Sequence, residues 1–274
     1  QMSVGILQPN LDPNTKWDYD KKKEIIAYMD SLHSVAIALD PDIILFPETA
    51  LPAYLKLNHR VRKMIQTKVD SSGIPVLTGT IDRIKSSEGQ KHYFNSSMFL
   101  TPNHKYVLYN KLHLVPFAEY IPLSGKFPSL MNLNFGQGNF TQGSEYTVFE
   151  WKNVKFSNLI CYESSMPNIV REFIQKGAEI ITIQTNDGWL GESAGPYQHY
   201  DVARIRAIEN RVPIIRSANT GISGLILANG RSIKEQNLGE MAVFSVAVPM
   251  GDAGSIYSRY GDVFAMICFV IFLL

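Results

Sequence analysis

Ile43, Ile44, Leu45 and Phe46 form a short, wholly apolar run, the pattern of a strand buried on both faces. Such a strand needs cover above and below, so it excludes a fold built from one exposed sheet. Runs of this kind alternate with helical spacing along the chain. Met2–Gln8 reads as a strand. Apolar residues then fall at 25, 28, 29, 32, 35, 36 and 39, a helical period that Asp40-Pro41 stops. The spacing gives a helix over 61–69, a strand over 75–81, and a turn in the polar segment around Gly89. Residues 94–100 and 106–109 pair as a hairpin about Pro102-Asn103. The second half repeats the rhythm: strands at 146–150 and Val154–Ile160, a helix at Pro167–Gln175 with proline in its first turn, a strand at 179–184, a helix at 196–210, and strands at 213–217, 224–227 and Ala242–Val248. Mixed strands and helices at this length predict one α/β domain with two layered sheets.

The composition fits a sizeable core: 45% of residues are hydrophobic and 19% charged. With 26 basic and 25 acidic residues the net charge is +1, and no Lys/Arg stripe speaks for nucleic acid. Lys21-Lys22-Lys23 reads as a solvated helix start. The two cysteines, Cys161 and Cys268, make no disulfide framework. The run from Val263 to Leu274 is wholly apolar. It is shorter than the roughly 20 residues a membrane span needs, and with no polar face it reads as the start of a truncated transmembrane helix. The expected division is therefore a catalytic domain over 1–260 and the beginning of a membrane helix over 261–274.

Residues 110–145 read as a long irregular stretch, and a loop of that length in a compact domain usually serves function. It carries Phe117, Tyr120, Ile121, Leu123, Phe127, Leu130, Met131, Leu133 and Phe135, too apolar for a disordered linker. A lid or a lipid-facing arm fits it.

Three polar residues stand at the ends of apolar strands. Glu48 follows 43–46 and Pro47, Lys111 follows the strand ending at Tyr109, and Cys161 follows Val154–Ile160. In α/β sheets, sites collect at the carboxyl ends of strands. A carboxylate there can take a thiol proton, an ammonium can stabilise thiolate and oxyanion, and the thiol can attack a carbonyl. A helix N-terminus just after Cys161 would favour its thiolate. Taken singly, each residue also fits a bland role: Glu48 a helix cap or arginine partner, Lys111 a surface lysine, Cys161 a buried structural thiol. Together they favour chemistry. A Cys–His pairing competes, with His113 and His199 as its candidates among six histidines. No His/Cys/Asp spacing marks a metal site, and Gly136-Gln137-Gly138 is too weak for a phosphate loop. No cofactor is called for.

Phe46-Pro47-Glu48, Tyr109-Asn110-Lys111, Leu159-Ile160-Cys161-Tyr162-Glu163 and Asn186-Asp187-Gly188-Trp189-Leu190-Gly191 resemble the carbon–nitrogen hydrolase (nitrilase) superfamily, in that chain order. The segment 204–216 resembles that superfamily's following helix and strand. The stretch 111–122, Trp189 with Gly195-Pro196-Tyr197-Gln198-His199, and 217–223 are similar to the apolipoprotein N-acyltransferase branch. Ala118 stands where glycine is usual, and Gly188-Trp189-Leu190 where Ala-Trp-Phe is usual. The resemblance implies an α-β-β-α sandwich and a Glu48–Lys111–Cys161 triad, with Glu119, Tyr162, Glu163 and Trp189 as supporting or substrate-binding residues. It implies acyl transfer from a phospholipid, through a Cys161 thioester, to the N-terminal amine of a diacylglyceryl-cysteine lipoprotein. It further implies a bacterial inner-membrane setting with the catalytic domain on the periplasmic side. A soluble amidase with the same triad is the alternative.

Overall fold

A computed structural model describes residues 1–124, 126–127, 129–130, 139–250 and 254–274. Among these residues, two six-stranded mixed sheets stack on each other. The first runs in the order β12 (Ala242–Val248), β1 (Met2–Gln8), β2 (Ile43–Leu45), β3 (Val76–Lys85), β4 (Lys91–Thr101), β5 (Lys105–Asn110). The second runs β11 (Ser232–Gln236), β10 (Ser223–Ile226), β9 (Ile214–Ala218), β8 (Ile180–Thr185), β7 (Val154–Ile160), β6 (Phe149–Trp151). The central strands are parallel: β1, β2 and β3 in one sheet, β7, β8 and β9 in the other. Because β3–β4 and β4–β5 are both antiparallel, β5 points the same way as β2. The strand ends bearing Glu48 and Lys111 therefore share one edge of the first sheet.

The apolar run at β2 is buried on both faces, as its sequence requires. Ile43 and Leu45 join the core between the sheets, while Ile44 and Phe46 face the helices α1 (Lys22–Ala38) and α2 (His59–Ser72). Each such side chain contributes roughly 1.5–3 kcal/mol when fully buried. Helix α1 offers a stripe of Ile25, Met29, Leu32 and Ala36, at the helical period that positions them on one face. Helix α2 starts where the Asn58 side chain accepts a hydrogen bond from the Val61 N–H and stops at Gly73, whose φ of 73° a β-carbon would disfavour. On the other side, α3 (Pro167–Gln175) and α4 (Gly195–Asn210) bury Val170, Phe173, Ala203 and Ala207. The order of layers is helix, sheet, sheet, helix, as the α/β expectation requires.

The interior between the sheets also holds a hydrogen-bonded group of polar side chains. Asn158 donates to Ser97 Oγ (2.7 Å) and to Gln184 Oε1 (3.0 Å), and Gln184 Nε2 donates to the carbonyls of Phe46 (2.7 Å) and Leu77 (3.2 Å). These bonds cross from the second sheet to the end of β2, two residues before Glu48. Buried amides left unpaired would cost on the order of 1–3 kcal/mol each, so the network fixes the register of the sheets at the edge where the site lies.

Strand β11 and the short helix α5 (Ile256–Tyr260) have no counterpart in the sequence reading. β11 is a polar edge strand, half open to solvent, so its residues show no apolar alternation. The 110–145 stretch contains only an isolated bridge between Pro116 and Tyr120 and short turns among its described residues. Met131, Leu133, Phe135 and Gly136-Gln137-Gly138 lie outside the described residues. The apolar C-terminal run is a helix, α6 (Val263–Leu273), with every residue at least partly exposed: Phe264 is 77% and Phe272 86% accessible. No helix among the described residues is long and apolar enough to cross a membrane. The expected transmembrane start is thus an exposed eleven-residue helix here.

Candidate active site

Glu48 is placed by a close approach. Its loop lies so near β3 that a β-carbon on Gly79 would come within 2.7 Å of Glu48 Cα. Only glycine admits that contact. The Glu48 carboxylate is buried and accepts a hydrogen bond from Asn95 Nδ2 (2.8 Å), which also donates to Glu119 Oε1 (2.9 Å). Lys111 follows β5 by one residue and is 1% exposed, not a surface lysine. Its Nζ is gripped by both Glu119 oxygens, at 2.9 and 2.8 Å. Glu119 Oε2 in turn accepts from the Val115 N–H (2.8 Å), which ties the 111–122 segment to the ammonium.

Cys161 opens a 3₁₀ turn (Cys161–Ser165), and its φ is 51°. A left-handed backbone of this kind at a non-glycine residue marks a strained turn that the surroundings must enforce. Glu163 is one such enforcer. It accepts from Ile160 N (2.7 Å), Leu112 N (2.6 Å), His113 N (3.1 Å) and Tyr109 OH (2.7 Å), and so binds the Cys161 turn to the lysine segment.

The electrostatics follow from burial and charge. Burial pushes the Cys161 thiol up to about 12, with the Glu48 charge adding to the shift and Lys111 opposing it. The expectation that a helix N-terminus favours the thiolate is therefore corrected: the resting thiol keeps its proton. The turn is only five residues of 3₁₀ helix, and desolvation next to two carboxylates outweighs it. Burial also raises Glu48, against the pull of Lys111. For Lys111, burial alone lowers the ammonium, but Glu119, Glu48 and Cys161 outweigh it and the net shift is upward. Burial raises Glu163 to about 7, with Lys111 and its hydrogen-bond donors pulling the other way. The cluster thus presents a protonated thiol, a permanently charged ammonium and a carboxyl whose proton affinity is enhanced. That set can move a proton off sulfur and hold a developing oxyanion.

Of the remaining expected residues, Tyr162 is 37% exposed with its ring 5.9 Å from that of His113, and Trp189 is 51% exposed on the turn after β8. Both lie at the surface, outside the buried cluster. A cavity of about 290 Å³ opens between His113, Tyr120, Ile121 and Phe140. A second, of about 410 Å³, lies against Asp187, Gly188, Tyr197 and Thr220.

Several residues here carry no sequence signal of their own. Asn95 sits in the strand run of β4, where nothing marks it as the link between two carboxylates. Lys16 is 1% exposed, with Nζ 3.4 Å from the Glu48 carbonyl and 3.4 Å from Thr49 Oγ1. Burial lowers it to about 8, and the Glu48 charge pulls it back up. Asp187, His199 and Arg216 form a further buried group. Arg216 Nη2 donates to Asp187 Oδ2 (2.5 Å), and His199 Nδ1 lies 2.8 Å from Asp187 Oδ1. The structure therefore does gather a thiol, a carboxylate and an imidazole, Cys161, Asp187 and His199, with ligand atoms within 4.8 Å of one another, although no spacing announced it. Arg216 already occupies the place beside Asp187 that a cation would need. The competing Cys–His pairing takes a different form from the expected one: His199 Nε2 faces the Cys161 carbonyl oxygen at 3.1 Å.

A sandwich of two mixed sheets between helices, with a thiol, an ammonium and carboxylates at one strand edge, defines a nitrilase-like α/β protein. The carbon-nitrogen hydrolase family matches residues 3–257, and the chain belongs to that family, whose members are enzymes. An amidase from Nesterenkonia sp. AN1 shares the fold, with a TM-score of 0.69 at 16% identity, covering 98% of this chain and 100% of the amidase. The chain is 34% identical to an apolipoprotein N-acyltransferase of Geobacter metallireducens over 97% of its length, and 35% identical to one of Rickettsia typhi over 100%. It spans about half of those relatives, 51% and 54% of their lengths.

Proposed function

We propose that residues 1–260 are the catalytic domain of a membrane N-acyltransferase in which Glu48, Lys111 and Cys161 form the triad. The observation that carries this reading is the buried Lys111 ammonium, held by Glu119 and coupled in charge to both Glu48 and Cys161. Glu48 takes the Cys161 proton as Sγ attacks the ester carbonyl of a phospholipid. Lys111 stabilises the oxyanion. Glu48 then passes its proton to the departing glyceryl oxygen, which releases lysophospholipid and leaves a Cys161 thioester. In the second half, Glu48 takes a proton from the attacking α-amine of a diacylglyceryl-cysteine, the amide forms, and the thiolate leaves and is reprotonated. A carboxyl with raised proton affinity suits both directions of this transfer.

Three features support a lipid donor at a bacterial inner membrane, with the domain facing the periplasm. Relatives over the whole chain are named apolipoprotein N-acyltransferases. The exposed side chains of α6 have no polar face, which suits residues 261–274 as the beginning of a membrane-embedded helix. Phe117, Leu123, Phe127 and Trp189 add exposed apolar surface on the segments flanking the cluster, and Tyr162 and Trp189 are assigned to the substrate approach. The test is Cys161→Ala in the full-length protein. Thioester formation should vanish and amine acylation should fall on the order of a thousandfold or more. Retained acylation would contradict the triad. Rapid hydrolysis of small amides by the unsubstituted protein, without acyl transfer, would favour an amidase using the same residues.

A further inference from the structure

A second hydrogen-bond system reaches the Cys161 turn, through residues outside the triad. Ser164 Oγ donates to the Cys161 carbonyl at 3.0 Å. His199 Nε2 lies 3.1 Å from that same carbonyl and 2.9 Å from Ser164 Oγ. The Cys161 carbonyl can only accept, so Nε2 at hydrogen-bond distance from it carries a hydrogen, which Ser164 Oγ shares as a second acceptor. At the other ring nitrogen, Nδ1 faces Asp187 Oδ1 at 2.8 Å and Arg216 Nη2 at 3.1 Å. If Nδ1 is protonated it donates to Asp187; if not, it accepts from Arg216. In both states Nε2–H stays on the Cys161 turn. The far end of the chain is rigid: Arg216 Nε donates to the Ile222 carbonyl (3.0 Å), and Thr185 Oγ1 donates to Asp187 Oδ1 (2.9 Å). All of these groups are buried or nearly so, and Asp187 and Arg216 side chains are 0% exposed.

The turn needs such a brace. A left-handed φ of 51° at Cys161 is strained backbone for a non-glycine residue and persists only where neighbours over-determine it. Glu163 holds the turn through Ile160 N on the residue before the thiol, and the carbonyl of Cys161 is met by Ser164 from within the turn and by His199 Nε2 from another element.

We propose that His199 is a positioning residue for Cys161: braced by Asp187 and Arg216, its Nε2–H clamps the Cys161 carbonyl and keeps the thiol aimed at the substrate. Arg216 has a second effect, because it cancels the Asp187 charge that would otherwise oppose a thiolate within 4.8 Å. The proposal rests on Cys161 being the nucleophile.

The test measures the rate at which iodoacetamide modifies Cys161 near neutral pH, by peptide mass, in a Cys268→Ser background that removes the other thiol. His199→Ala should slow modification by about tenfold to a hundredfold, the range expected from sub-ångström to ångström misplacement of a reacting group. His199→Gln places an amide N–H near the Nε2 position and should recover most of the rate. His199→Asn reaches only the Nδ1 position and should not. If His199→Ala fails to fold, the comparison of Gln with Asn decides alone. A wild-type rate in His199→Ala, or equal rates in the Gln and Asn variants, overturns the clamp. Amine acylation retained in the Cys161→Ala protein overturns instead the nucleophile reading on which the clamp rests, so the two failures are distinct.

Discussion

Glu48 and Asp187 are both buried carboxylates whose charges reach Cys161, yet their surroundings treat them oppositely. Glu48 has an amide donor and a lysine that is shared with Glu119, and burial leaves its proton affinity raised. Burial pushes Asp187 the same way, but the Arg216 guanidinium and His199 more than reverse it and hold the carboxyl well below the usual range. The lesson is about division of labour around one thiol. On the proposed mechanism, the carboxyl that exchanges protons sits beside a cation committed to Glu119. A carboxylate that must stay charged is locked to its own cation, and serves the architecture of the turn.

Neutralising each carboxylate should break this contrast in a different place. Glu48→Gln should lower acyl transfer by about a hundredfold to ten-thousandfold, the usual worth of a general acid–base group, while its urea-unfolding midpoint stays near that of the parent. A kcat within a few-fold of the parent would remove Glu48 from the proton path. Asp187→Asn should act on folding: it leaves Arg216 buried without a counter-charge, and unfolding free energy should drop by about 3–5 kcal/mol. An unchanged unfolding curve would show that the Arg216 pair is not what holds this half together. The smallest effect concerns Glu163, raised by burial to about 7 from a reference of 4.5. The folded state binds this proton more tightly than the unfolded chain, so the contribution to stability is full below about 4.5 and lost as pH rises through about 7. Thermal midpoints measured across that window should fall with rising pH, and Glu163→Gln should flatten the slope. A flat parent profile would remove the burial argument at this residue.

What the sequence made legible, and what it hid, follows the same division. Glu48, Lys111 and Cys161 could be read as candidates because each follows a strand run; β2 and β5 point the same way in the first sheet, and β7 of the second sheet carries Cys161. The order of strands and helices was legible for the same reason, except where an edge strand such as β11 is polar and half solvated. Asp187, His199 and Arg216 were hidden as a group. Arg216 lies inside an apolar strand run, and its partner is 29 residues away on another element, so only the packed sheets bring them together. The state of the Cys161 thiol was misread because a local signal, the helix start, competes with desolvation and with the charges of Glu48 and Asp187, which only the folded structure supplies. Asn95 and Lys16 were missed because a single amide or lysine in a strand or loop carries no pattern until it meets a carboxylate or is buried beside one.

The central claim is that Cys161 carries the acyl group and an amine removes it. Full-length protein incubated with a labelled phospholipid and no acceptor should show one acyl chain on the peptide containing Cys161, as a thioester that hydroxylamine cleaves. A lipopeptide with a free α-amine should then discharge the label into an amide far faster than water does. A label that never appears on Cys161, or that leaves to water at the same rate with and without the amine, would contradict the account.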